Sequence, residues 1–153
     1  MKLHVLDTTQ TLPIALDRAW SFFSDPRNLA SITPPSLGFE VTGEVPERMY
    51  PGLILTYRVR PLFGVAVRWV TEITHVDEPR YFADEQRFGP YRFWHHKHFF
   101  REVDGGVEMR DLVHYALPPG GGPVRRLLVA PRLREIFAYR REVLERTFGR
   151  GPA

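Results

Sequence analysis

The sequence predicts an α+β domain in which a curved, seven-stranded antiparallel sheet wraps around a long C-terminal helix. Three observations carry this expectation. Short extended segments, each closed by Gly, Pro or Asp, fill residues 39 to 117. Residues 123 to 148 instead repeat apolar side chains at helical spacing. With 153 residues, the chain is long enough for one core and too short for two, so residues 1 to 150 are read as a single domain.

The elements follow in order. The stretch "TLPIALDRAWSFFSDPRNLASIT" reads as the end of a first strand and two short helices. Ala19, Trp20 and Phe23 share one helical face, while Asp25 as N-cap and Pro26 at the first helical position start a second helix of about two turns. Six further strands are punctuated by "PERMYPG", "PLFG", "DEP", "GPY" and "DGG". After "PPGGGP", which reads as a hinge, Leu133, Ile136, Phe137, Leu144 and Phe148 form the apolar stripe of the closing helix. Pro131 lies inside this run and should kink or restart it near Ala130. An antiparallel sheet has one face to bury, and an amphipathic helix of this length covers it.

Alternation along the strands assigns the faces. In "GPYRFWHHKHFF", Lys97 and Arg101 mark the outer face, which places Trp94, His96, His98 and Phe100 inward. The next strand turns Met109, Asp111, Val113 and Tyr115 inward. Earlier strands contribute Leu53, Leu55, Tyr57 and Val59, then Val67, Trp69, Thr71 and Ile73, then Phe82, Asp84, Gln86 and Phe88. This interior is apolar except for Asp84, Gln86, His96, His98, Asp111 and Tyr115, which must bond to one another, to water or to a ligand. Arg140 falls on the apolar stripe of the helix and calls for a carboxylate partner, Asp111 or Asp84.

Composition narrows the function classes. The absence of cysteine excludes disulfides and thiolate chemistry. No apolar run is long enough to span a bilayer and "MKLHVLDTTQ" has no apolar signal core, so a cytoplasmic protein without membrane insertion is expected. The net charge of +3 comes from 19 arginines and only two lysines, Lys2 and Lys97. Because these arginines are interleaved with 18 acidic residues rather than gathered in a stripe, no nucleic-acid partner is expected. The paired arginines at 125 to 126 belong to a solvated helix face. Phe93, Phe99 and Leu112, flanked by Lys97, Arg101 and Arg110, could make a homodimer contact through the outer sheet face.

The segments "WSFFSDPRNLASITPP", "FADEQRFGPYRFWHHKHFF", "MRDLVHYALPPG" and "IFAYRREVLERTF" resemble, in order, bacterial members of the START-like, or SRPBCC, superfamily of helix-grip proteins. The branch is that of the polyketide cyclase/dehydrase-like proteins. The resemblance implies a deep apolar cavity between sheet and helix, with Trp94, His96, His98, Phe100, Asp111, Val113 and Tyr115 at its wall. It carries over no catalytic residue, since the superfamily includes lipid carriers, hormone receptors and aromatase/cyclases.

Three functional readings follow. The first is a binding module for an apolar small molecule or lipid, with Trp69, Phe82, Asp84, Gln86, Trp94, His96, His98, Phe100, Asp111, Val113, Tyr115, Phe137 and Arg140 facing the ligand. The second is a cofactor-free cyclase, dehydratase or hydratase using His96 or His98, oriented by Asp111, for proton transfer. The third is a polar network that only ties helix to sheet. A metal held by His96 and His98 with Asp84 or Asp111 has suitable donor types but no diagnostic spacing, so no metal or other cofactor is expected.

Overall fold

The structure is a computed structural model that describes residues 2 to 61, 63 to 119, 123 and 125 to 151. Strand β1 (His4–Leu12) is followed by helix α1 (Leu16–Phe23) and two 3-10 turns, Pro26–Ile32 and Pro35–Leu37. Strands β2 (Glu40–Val41), β3 (Ile54–Val59), β4 (Val67–Asp77), β5 (Tyr81–Phe88), β6 (Phe93–Val103) and β7 (Gly106–Ala116) come next. A π-helical turn, Arg125–Val129, leads into helix α2 (Ala130–Phe148). All seven strands form one antiparallel sheet in the order β1-β7-β6-β5-β4-β3-β2.

Local chemistry accounts for the element boundaries. Asp25 caps the first 3-10 turn by accepting from the Arg27 backbone N–H at 3.0 Å, and Pro26 takes the first position, where a missing N–H costs nothing. The second short helix is thus 3-10 rather than α, with Pro26 and Ile32 as its buried residues. Pro131 restarts the final helix as expected: the chain runs as a π turn up to Val129, and Pro131 lies in the first turn of α2. Residues 120 to 122 of the expected hinge, Leu62 of "PLFG" and the side chains of Arg125 and Arg126 lie outside the described residues.

Two core clusters line the ends of the sheet. One joins Leu12, Trp20, Phe23, Phe82, Phe100 and Leu144, so it locks α1 and the end of α2 onto β5 to β7. The other gathers Leu53, Leu55, Tyr57, Val59 and Ile73 on β3, β4 and the loop before β3. A third group, Trp94, Val113, Tyr115, Val129 and Leu133, seats the start of α2. Every residue expected inward on β6 and β7 is buried.

Phe88 is the exception on β5, and it corrects the expected inward set. Val70 pairs with Phe88 while Thr71 pairs with Gln86, so Arg87 is an extra residue in a β-bulge. A bulge shifts the alternation by one. Phe88 therefore shares the face of Val70, outside, and is 62% exposed. A second bulge, with Ile73 opposite Asp84 and His75 opposite Ala83, leaves Thr74 unpaired and returns Val76 to the core side. On the outer face Phe93, Phe99 and Leu112 are half-buried, and the Phe99 ring lies 5.0 Å from that of Tyr81.

Candidate functional site

The centre of the sheet brings together four ionisable groups on three adjacent strands. Register puts His96 of β6 opposite Asp84 of β5, and His98 opposite Asp111 of β7. The hydrogen bonds nevertheless run along the diagonals, which imidazole side chains can span. His96 Nε2 lies 2.9 Å from Asp111 Oδ1, and His98 Nε2 lies 2.9 Å from Asp84 Oδ2. His98 Nδ1 is also 3.0 Å from Asp111 Oδ1, an ion-pair distance whose angle falls short of a hydrogen bond. Above them Arg140 of α2 sets Nη2 at 3.4 Å from the same Asp111 oxygen. Asp111 is thus the partner that Arg140 required.

Burial and mutual contact set the protonation of this cluster. For Asp111, burial works against the charge, but Arg140, His96 and His98 together outweigh it and hold the carboxyl well below the usual range. Burial likewise opposes charge on His98, yet its contacts to Asp111 and Asp84 win and raise its pKa above 6.5. In His96 burial dominates, the neighbouring His98 adds to it, and the pKa falls below 6.5 despite the Asp111 bond. The two carboxylates thus favour the protonated form of His98. Burial favours the neutral form of His96, and in that form an Nε2–H donated to Asp111 leaves Nδ1 as an acceptor. That atom stands 3.8 Å from Asp84 Oδ2, beyond hydrogen-bond reach.

A cavity of about 230 Å³ opens beside these groups, between β3 to β6, the 3-10 turns and α2. Trp69, Phe82, Asp84, Trp94, His96, His98, Phe137 and Arg140, all expected at the ligand, line it. Asp111 and Tyr115 instead line a cleft of about 550 Å³ between β1, β7 and α2. Leu133, Phe137 and Arg140 face both spaces. Gln86, Phe100 and Val113 line neither. The Gln86 amide is consumed by Tyr91, donating to its carbonyl at 2.6 Å and accepting from its N–H at 3.2 Å. Phe100 is packed against Trp20 and Phe23, and Val113 is wholly covered beneath the helix.

Sequence reasoning misses Tyr91, because the residue sits in a turn signal and has no strand parity to mark it. Its ring packs against those of Trp94 and Trp69, at 4.8 and 5.5 Å between centroids, and burial pushes its phenol pKa up. Phe39, Met49 and Leu29 also reach the cavity from loops or 3-10 turns, where no periodicity marks an inward face. Tyr57 is legible from alternation; desolvation, then the charge of Asp84, raises its pKa.

Asp84, His96 and His98 offer ligand atoms within 4.8 Å of one another, and these are donor types that a divalent transition ion accepts. Their present arrangement favours hydrogen bonding. The two imidazoles are 3.8 Å apart between centroids and tilted by 34°. His98 Nε2 is committed to Asp84.

Solved structures with the same architecture confirm the fold. Protein Ms6760 from Mycobacterium smegmatis superposes with a TM-score of 0.68 at 22% identity, covering 94% of this chain and 96% of its own. Protein TTHA0849 from Thermus thermophilus gives 0.71 at 19% identity, with 94% and 95% covered. The Zhui aromatase/cyclase from Streptomyces gives 0.72 at 14% identity, with 94% and 92% covered. The fold is the helix-grip fold, a curved seven-stranded antiparallel sheet closed by a long C-terminal helix. No family model matches the chain, and no curated protein does. Within the helix-grip frame, the adjacent strands β5, β6 and β7 carry the ionisable cluster and α2 adds the Arg140 guanidinium. Among the described residues, no helix is long and apolar enough to cross a membrane.

Proposed function

We propose that this helix-grip protein binds a small apolar or lipid-like molecule in the cavity between sheet and α2, fixing its polar part with the Asp-His-Arg cluster. One observation carries this reading. The cavity wall is built mainly from aromatic and aliphatic side chains, while Asp84, His96, His98 and Arg140 reach it together. Binding sites for small molecules combine apolar walls with a few convergent polar groups in this way. A network that served only to tie helix to sheet would be better placed against packed side chains than beside about 230 Å³ of space. Native mass spectrometry of freshly purified protein is expected to reveal a retained small-molecule mass, and titration with an environment-sensitive apolar dye is expected to saturate at one equivalent. Loss of both signals, with the protein folded, would sink the proposal.

His96 favours a second reading, a cofactor-free cyclase or dehydratase. Its Nε2–H is held by a buried carboxylate, burial favours its neutral form, and its Nδ1 has no hydrogen bond among the described residues, the arrangement of an oriented general base. The likeness to an aromatase/cyclase accords with this reading. Turnover of a poly-β-ketone substrate that disappears in His96→Gln but survives in His95→Gln would establish it. Equal rates in both variants would remove it.

A further inference from the structure

Arg140 is buried at the cavity with few acceptors among the described residues. Its side chain is 9% exposed, and its guanidinium carbon lies 5.4 Å from the Phe23 ring centre and 6.0 Å from that of Phe137. A guanidinium carries five N–H donors. Its neighbours offer the Met109 sulfur at 3.9 Å and Asp111 Oδ1 at 3.4 Å, both to the same Nη2. Nε is buried with no hydrogen-bond partner among the described residues.

Among the described residues, the nearby carboxylates are already engaged. Asp111 Oδ1 already receives His96 Nε2 at 2.9 Å and has His98 Nδ1 at 3.0 Å, so Arg140 is the third and most distant cation or donor on one oxygen. Asp84 is taken by His98. Buried donors without acceptors destabilise the fold. A planar guanidinium fork is matched in geometry and charge by a carboxylate, which accepts two parallel N–H bonds.

We propose that the ligand is a compact apolar carboxylic acid whose carboxylate is received by Arg140, a proposal that rests on the binding function above. An amine would meet the charge of the guanidinium. An alcohol or ketone would offer one oxygen and could not take two parallel N–H bonds from the fork. The size of the cavity, about 230 Å³, lies below the roughly 300 Å³ at which drug-sized sites begin, so the acid is small. Trp69, Trp94 and Phe137 in the wall suit a flat ring.

The test uses naphthoate and its neutral shape-mate naphthylmethanol, titrated into the intact protein at neutral pH and followed by tryptophan fluorescence, since Trp69 and Trp94 line the cavity. Naphthoate is expected to bind at least roughly tenfold tighter, the scale of a charge-assisted hydrogen bond. Arg140→Gln is expected to abolish that preference, and Arg140→Lys to keep part of it through charge without the fork. Should either variant fail to fold, the other carries the assignment to Arg140, and the two probes on the unaltered protein still test the preference for a carboxylate. Equal binding of acid and alcohol overturns the carboxylate assignment while the binding function stands. Binding of neither overturns the binding function and this proposal with it. A preference that persists in both folded variants places the carboxylate on another cation and overturns the assignment.

Discussion

Asp111 is 1% exposed and is met on a single oxygen by His96, His98 and Arg140. Its removal leaves the Arg140 guanidinium and the His98 imidazole, whose protonated form it favours, buried without their shared counter-charge. Breaking such a group by removing one partner costs about 3 to 5 kcal/mol, so Asp111→Ala is expected to lose that much in urea denaturation. Asp111→Asn, which keeps an acceptor for His96, should lose less. The two histidines have opposite pH signatures. His98 has a folded pKa raised above 6.5, so its contribution is complete below 6.5 and is lost as the pH rises through the folded value. His96 has a folded pKa below 6.5, so the unfolded chain takes up its proton first and stability falls as the pH drops below 6.5. Stability measured against pH should therefore show that His98→Gln costs most on the acid side of 6.5 and progressively less above it. A pH-independent cost would contradict the assignment of the proton to His98. The inward positions of these residues were legible because strand alternation has period two. Their bonding was not, because cross-strand register and side-chain rotamers choose the diagonal partners His96–Asp111 and His98–Asp84 over the direct ones.

At the scale of elements, each turn signal in the sequence bounds a strand, yet the two bulges in the β4–β5 pair left no equally plain mark. Phe88 shows the consequence. Its hydrophobicity and its parity with Phe82 both point inward, and one extra residue at Arg87 sends it out. Glycine in the "DGG" turn has a firmer reading. Gly106 has φ of 151°, and a Cβ there would collide with the carbonyl oxygen of Leu12 and crowd Pro13. Because those are backbone atoms of the β1 end and its exit, they cannot swing aside as a side chain can. Gly106→Ala is expected to cost about 2 to 3 kcal/mol through strain and displacement of β1, read as a lowered Tm. An unchanged Tm would show that the edge strand yields freely. For α2, the apolar stripe was visible in sequence, and so was Arg140 as its anomaly. What the stripe could not say is that the same turn of helix faces two spaces, with Leu133, Phe137 and Arg140 bordering both.

For the whole molecule, ligand binding and folding are linked, since the cavity exists only when sheet and helix are assembled. A ligand that occupies the folded protein alone stabilises it by about 2.7 kcal/mol at a hundred times its Kd. Saturating apolar ligand is therefore expected to raise Tm in proportion to the logarithm of its concentration; a Tm indifferent to a ligand shown to bind would mean that it sits outside the cavity. By itself the sequence determined the α+β class, the number of strands, the closing helix and the inward faces of β6 and β7. Those depend on local periodicity and on turn residues, which neighbours in the chain set. Only the tertiary structure decided that Gln86 is spent on Tyr91, that Tyr91 joins the wall, that Asp111 serves two histidines and an arginine, and that space remains beside them. These depend on register, bulges and the packing of distant segments, and each is fixed by contacts between residues far apart in the chain.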